Sequence, residues 1–143
     1  YHWTSALELV RASGRSDDEI VERTRLALRA AGDRASSLNS YAVAAAQYDD
    51  ALALWPDDAE RPDLLFRLAV ALHRSYNEAR QQGALEVARD ALLAVGDMDR
   101  ASEAESFLAQ VSWERGEHEL VREHLARAEA LAGDSVSAAA ARC

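Results

Sequence analysis

The stretch NSYAVAAAQYDDALALWP, residues 39–56, decides the fold. Between the turn formers Asn39 and Ser40 and the stop at Pro56, the residues Tyr41, Ala44, Ala45, Tyr48, Ala51, Leu52 and Trp55 recur at spacings of three and four. They therefore line one face of a helix, and Pro56, which has no backbone N–H to donate, ends it. Small residues on that face let a neighbouring helix cross closely, and an aromatic such as Tyr48 fills the gap beside them.

The same pattern recurs downstream. GALEVARDALLAVGD, residues 83–97, and GEHELVREHLARAEALAGD, residues 116–134, superimpose on the first stretch. The matched triplets are Ala44, Tyr48 and Ala51; Ala84, Ala88 and Ala91; and Val121, Leu125 and Ala128. Ala51 and Ala91 lie 40 residues apart and Ala91 and Ala128 lie 37 apart, so the repeated unit is a helix pair with loops of variable length.

Working outward, Trp3, Ala6, Leu7 and Val10 predict a short first helix that Gly14 closes. Ser16 and Glu19 form a capping-box pattern ahead of a helix reaching about Leu38, along which Ile20, Thr24, Ala27, Leu28, Ala31, Ala35 and Leu38 share a face and Gly32 is a candidate kink. Asp57 and Asp58 are candidate caps for a helix from about Ala59 or Arg61 to Ser75, with a stripe of Leu65, Leu68, Ala69 and Leu72. Tyr76 to Gln82 reads as a loop, after which Ala84 to Val95 are helical up to Gly96. Asp97 opens a helix with Ala101, Ala104, Leu108, Val111 and Ser112 up to Gly116. The next helix carries Leu120, Val121, Leu125, Ala128 and Leu131 and is expected to end at Gly133, with Ser135 or Ser137 capping a short stub. The expectation is an all-α chain of about seven helices plus that stub, in antiparallel pairs, with units near 18–56, 59–96 and 97–133 in a single domain spanning 1–143.

Composition agrees with helices throughout. Pro occurs only at 56 and 62, Ile once, and Ala, Leu, Arg and Glu dominate. The formal charge of -9, from 25 acidic against 16 basic residues, argues against nucleic-acid binding, because the arginines are scattered rather than gathered on one face. No apolar run approaches the roughly 20 residues that cross a bilayer, and the N-terminus lacks a signal-peptide layout, so a cytoplasmic location is expected and no membrane partner. All sixteen basic residues are arginine, which fits a GC-rich bacterial genome. The start at Tyr1 and the stop inside a helix-favouring run lead to the expectation of a segment from a longer protein.

The unit 39–56 resembles the second helix of the tetratricopeptide repeat, with Tyr41, Ala44, Tyr48, Ala51, Leu52 and Pro56 in register and Gly32 at the small-residue position of the first helix. Leu68 and Ala69 fit a second unit, whose loop after Ser75 is about three residues longer than a standard repeat of about 34 residues allows. Leu108, Ala109, Gly116 and Ala128 fit a third, with Glu117 and His118 in place of Asp-Tyr. The run 30–73 is similar to the helical-repeat region of large bacterial signalling proteins that join a cyclase-like or DNA-binding domain to an ATPase domain. The resemblance implies a right-handed solenoid and a non-catalytic regulatory or protein-interaction role. Its groove positions map to Arg29, Asp33, Phe66, Val70, His73, Arg74, Gln110, Trp113 and Glu114, which would hold a protein, a peptide or another domain of the parent chain. The competing reading has Phe66 and Trp113 in the core and the arginines solvated. Self-association through Trp3 and Leu7 at one end and the alanine stub at the other is the alternative role, and a small helical enzyme or ligand-binding domain is the third.

No catalytic or metal site is expected, nor any cofactor. His118 and His124 stand six apart, so their imidazoles diverge on a helix, and His2 and His73 have no partner at ligand spacing. The single cysteine, Cys143, excludes an internal disulfide, and reads as a spare thiol. Asp49–Asp50 and Asp57–Asp58 are adjacent and diverge, no glycine-rich phosphate loop is present, and no serine sits in a nucleophile elbow.

Overall fold

A computed structural model describes residues 17–140, which form six helices: α1 Asp17–Ser37, α2 Tyr41–Leu54, α3 Arg61–Arg74, α4 Gln81–Ala94, α5 Met98–Glu114 and α6 His118–Ala140. No strand occurs among the described residues. The expected helix over Trp3–Val10, with Gly14, the capping residue Ser16, His2 and Cys143, lies outside them.

Four helix ends are built alike. After α1, α3, α4 and α5 the residues Asn39, Tyr76, Gly96 and Gly116 take φ values of 58°, 54°, 77° and 76°. In each case the next residue's N–H reaches back to an orphan helix carbonyl: Ser40 to Ala35 (2.8 Å), Asn77 to Leu72 (3.0 Å), Asp97 to Leu92 (3.0 Å) and Glu117 to Ser112 (2.9 Å). That is the left-handed helix stop, which glycine adopts freely and a tyrosine only at a cost. α2 ends differently. Trp55 is extended ahead of Pro56, its N–H donating to the Leu52 carbonyl (3.2 Å), and the Arg61 guanidinium donates to the carbonyls of Trp55 (2.7 Å) and Leu52 (3.3 Å). At the start of α5, Asp97 accepts from the Arg100 N–H at 3.2 Å, the expected cap.

Each helix packs on the one before and the one after it, and α3 also touches α5. α3 is the hub. Leu64, Leu68, Ala71 and Leu72 join Leu28 and Ala35 of α1 and Ala44, Tyr48 and Ala51 of α2 in one buried cluster, while Phe66 and Ala69 join Leu85, Ala88 and Leu92 of α4 and Ala101, Ala104 and Leu108 of α5 in another. Burial of a leucine side chain at such a place contributes about 1.5–3 kcal/mol, and Leu72→Ala would remove more than that by leaving a void. α6 is held differently. Its buried residues include His124 and Ala128, and Ser102 donates to the Ala128 carbonyl at 2.8 Å. Glu105, buried on α5, accepts from the Arg89 guanidinium at 3.1 Å and meets His124 Nδ1 at 2.6 Å, tying α4, α5 and α6 together.

Several sequence expectations are corrected. Gly133 does not end a helix: α6 runs through it to Ala140, because single glycines in an Ala- and Glu-rich run lower helix stability by only about 1 kcal/mol, and Ser135 and Ser137 fall within that helix rather than at the start of a further one. Gly32 lies inside the continuous α1 as a point of close approach to Tyr48. α4 begins at Gln81, inside the stretch expected as a loop; its buried positions are Gln81, Leu85, Ala88 and Leu92, with Ala84 partly buried against both clusters. Asp57 and Asp58 are not side-chain caps of α3, whose N-cap is Glu60; Asp58 instead accepts from Trp55 Nε1 (3.2 Å) and the Glu60 N–H (2.9 Å). Leu120 and Leu125 of α6 are 38% and 47% exposed and are not core.

Candidate binding face

The odd-numbered helices α1, α3 and α5 present a shared face with two chemically different ends. At the N-terminal end of α3, Asp63 gathers three arginines: Arg100 at 2.7 Å, Arg67 at 2.8 Å and Arg29 at 3.6 Å. Arg67 also pairs with Asp33 at 3.0 Å, Arg29 with Glu60 at 2.8 Å, and the Tyr48 hydroxyl donates to Asp33 at 2.8 Å. Arg25 and Arg29 both stack on the Trp55 ring, at 4.9 and 5.6 Å from its centroid. Burial opposes the charge on Arg67, but the Asp63 and Asp33 carboxylates outweigh it and raise its pKa further. Among the described residues, every cation of this cluster except Arg25 has a carboxylate partner.

The C-terminal end of α3 is different. A cavity of about 310 Å³ is lined by Tyr41, His73, Arg74, Tyr76, Phe107 and Gln110. His73 is buried, with both ring nitrogens engaged, Nδ1 with Gln81 Oε1 at 3.1 Å and Nε2 with Gln110 Oε1 at 3.3 Å, and its ring lies 5.0 Å from that of Phe107. Its ring forms a wall of the cavity. Arg74 has no carboxylate partner among the described residues; its guanidinium lies 5.8 Å from the Tyr41 ring centroid, a loose cation–π contact. Tyr76, 77% exposed, forms the mouth from its left-handed backbone. One turn further along α5, Trp113 is 64% exposed, with its ring 5.5 Å from that of His118.

Of the nine positions nominated from the sequence, His73, Arg74 and Gln110 share this cavity, Gln110 reaches Glu114 at 3.4 Å, and Trp113 stands beside them on α5. Arg29 and Asp33 lie in the compensated network at the other end, Phe66 is buried in the core, and Val70 packs against the same cluster. For Phe66 the core reading is therefore the right one, and for the exposed Trp113 it is not. Sequence reading missed Tyr41, Tyr76 and Phe107 as lining residues. Tyr41 was visible only as a helix-face residue and Tyr76 only as loop, since a left-handed conformation at a tyrosine leaves no pattern in the chain. Among the described residues no group of three or more His, Cys, Asp and Glu is placed to hold a metal ion, and no helix is long and apolar enough to cross a membrane.

No family model, curated protein or solved structure matches this chain. The reading of its role rests on the geometry above.

Proposed function

We propose that this chain is a non-catalytic helical-repeat scaffold of the tetratricopeptide type, which binds an extended segment of another protein, or of another domain of its parent, across α1, α3 and α5. A side chain of that segment anchors in the cavity between Tyr41 and Gln110. The observation that carries the reading is Arg74, an exposed cation lining an aromatic cavity with no carboxylate partner among the described residues, while Arg29, Arg67 and Arg100 at the other end of the same face are paired. An apolar or aromatic group with an adjacent carboxylate fits that lining, through ring contacts and a guanidinium free to bind in bidentate fashion. Tyr76 supports it further: a non-glycine residue held at positive φ stores strain, and such strain gathers at functional sites. The resemblance of the run 30–73 to repeat regions of bacterial signalling proteins supports reading the scaffold as part of a larger regulator.

Affinity capture from a lysate of the source organism tests the proposal, comparing wild type with an Arg74→Glu, Trp113→Ala variant that retains its helical circular dichroism. Retention of a protein or parent domain by wild type and its loss by the variant is the expected result; equal retention by both, or by neither, removes the face assignment. Self-association is the second reading, favoured by the exposed Leu120 and Leu125 on α6, and sedimentation across a concentration series distinguishes it.

A further inference from the structure

Gly32, Ala69 and Ala109 occupy equivalent places on α1, α3 and α5. Four cross-helix contacts fix the alignment: Arg29 with Asp63, Asp33 with Arg67, Asp63 with Arg100, and His73 with Gln110. Once the helices are aligned on the three small residues, each contact joins a residue to the one three places earlier on the next odd-numbered helix.

On this alignment Leu64, Leu68, Ala71 and Leu72 of α3 correspond to Ala104, Leu108, Val111 and Ser112 of α5, and none of the eight is more than 6% exposed. The α3 set is buried in a cluster with α2 residues, and the first three of the α5 set in a cluster with α4 residues. In both cases the covering helix is the one that precedes in sequence. The counterparts on α1 are Ala27, Ala31, Arg34 and Ala35, and they line an open groove of about 600 Å³ that continues past Leu38 to Val43. Ala27, Ala31 and Arg34 are exposed. Among the described residues, the face that is covered twice is left open once, at Ala27, Ala31 and Arg34.

The sequence before α1 has the means to cover it. Trp3, Ala6, Leu7 and Val10 fall at helical spacing, an apolar stripe a short distance ahead of α1 in the chain. Size is complementary as well: where α2 sets alanines 44 and 51 beside leucines 64 and 68 of α3, the N-terminal stretch has Trp3, Leu7 and Val10 to set beside alanines 27 and 31. We propose that the segment Trp3–Val10 of the same chain seats on the Ala27–Ala31 part of this groove, lying on α1 as α4 lies on α5.

Disulfide trapping in the full chain tests this, in a Cys143→Ser background. Ala6→Cys is paired either with Thr24→Cys, one turn before Ala27 on the groove side, or with Glu22→Cys on the opposite side of α1. Docking predicts that the Thr24 pair links about tenfold faster than the Glu22 pair, at a rate unchanged by dilution because the reaction is intramolecular. Adding Trp3→Asp should bring the two rates together. Equal rates without that change, or no linkage at all, would overturn the proposal. Covalent dimers whose yield falls on dilution would overturn it in favour of a second copy in the groove.

Discussion

The closest test of the packing is Gly32→Ala. A Cβ built on Gly32 would lie 2.5 Å from Tyr48 Cε1, 2.7 Å from Cδ1 and 3.0 Å from Cζ, whereas ordinary contact begins near 3.4 Å. The ring must therefore withdraw by about 1 Å. It is poorly placed to do so, because Tyr48 is buried and its hydroxyl is anchored to Asp33 at 2.8 Å. Three terms compete. Alanine is favoured over glycine inside a helix by about 1 kcal/mol, overpacking costs about 1–3 kcal/mol, and a broken hydroxyl bond about 1 kcal/mol more. The balance is a net loss of about 1–3 kcal/mol.

Gly133→Ala supplies the matched control, since it is also helical but a Cβ there meets nothing within 4 Å. It should gain up to about 1 kcal/mol. Urea unfolding followed by far-ultraviolet circular dichroism measures both, and a Tyr48→Leu background should relieve part of the Gly32→Ala penalty, giving a coupling of about 1–2 kcal/mol. Should Gly32→Ala stabilise the protein as Gly133→Ala does, the ring is not seated on that glycine and the argument for close crossing of α1 and α2 fails.

Burial, with the hydrogen bond to Asp33 second, pushes the Tyr48 phenol from 10.0 up to about 12. Because the folded value lies above the unfolded one, this contribution is complete below pH 10 and lost as the pH rises towards 12. It amounts to at most about 3 kcal/mol, so an unfolding series across that window should show a slope that Tyr48→Phe flattens. In the buried cluster joining α4, α5 and α6, His124→Leu should destabilise by about 2 kcal/mol because it strips Glu105 of one of its two partners, while Glu105→Met added to it should recover most of the loss; no recovery in the double variant would show that packing, not the polar cluster, holds α6. Tyr76→Gly should raise stability by about 1 kcal/mol by relieving the left-handed strain and should weaken partner capture; a loss of stability would mean that the tyrosine ring holds the loop in place.

Most helix boundaries were legible because single residues enforce them: Pro56, Gly96, Asp97 and Gly116 each act through local backbone chemistry. The errors arose where local signals mislead. Gly133 has the residue type of a helix stop without the left-handed backbone, and Gln81 reads as loop because a polar residue breaks the apolar stripe, although its amide is buried against His73. The site was legible in part. Arg74 and Gln110 could be nominated by position, but whether an arginine is compensated depends on partners more than thirty residues away, such as Arg67 with Asp33 or Arg100 with Asp63, and periodicity carries no information about such pairings.

That distinction between compensated and free arginines also governs how a partner would be held. The chain carries a formal charge of -9, so its long-range field repels an acidic segment even as Arg74 attracts one locally. The two effects differ in range. Salt screens the repulsion, which acts over distances beyond the Debye length of about 10 Å at 0.1 M, more completely than a short bond inside a cavity walled by Tyr41, Tyr76 and Phe107. Capture through this site should therefore be unchanged or improved when ionic strength rises from about 0.05 to about 0.2 M. Affinity falling steeply with salt would instead require several exposed arginines acting together, and the pairing of Arg29, Arg67 and Arg100 with Asp63 leaves those three unable to act so without first giving up carboxylates that already hold them.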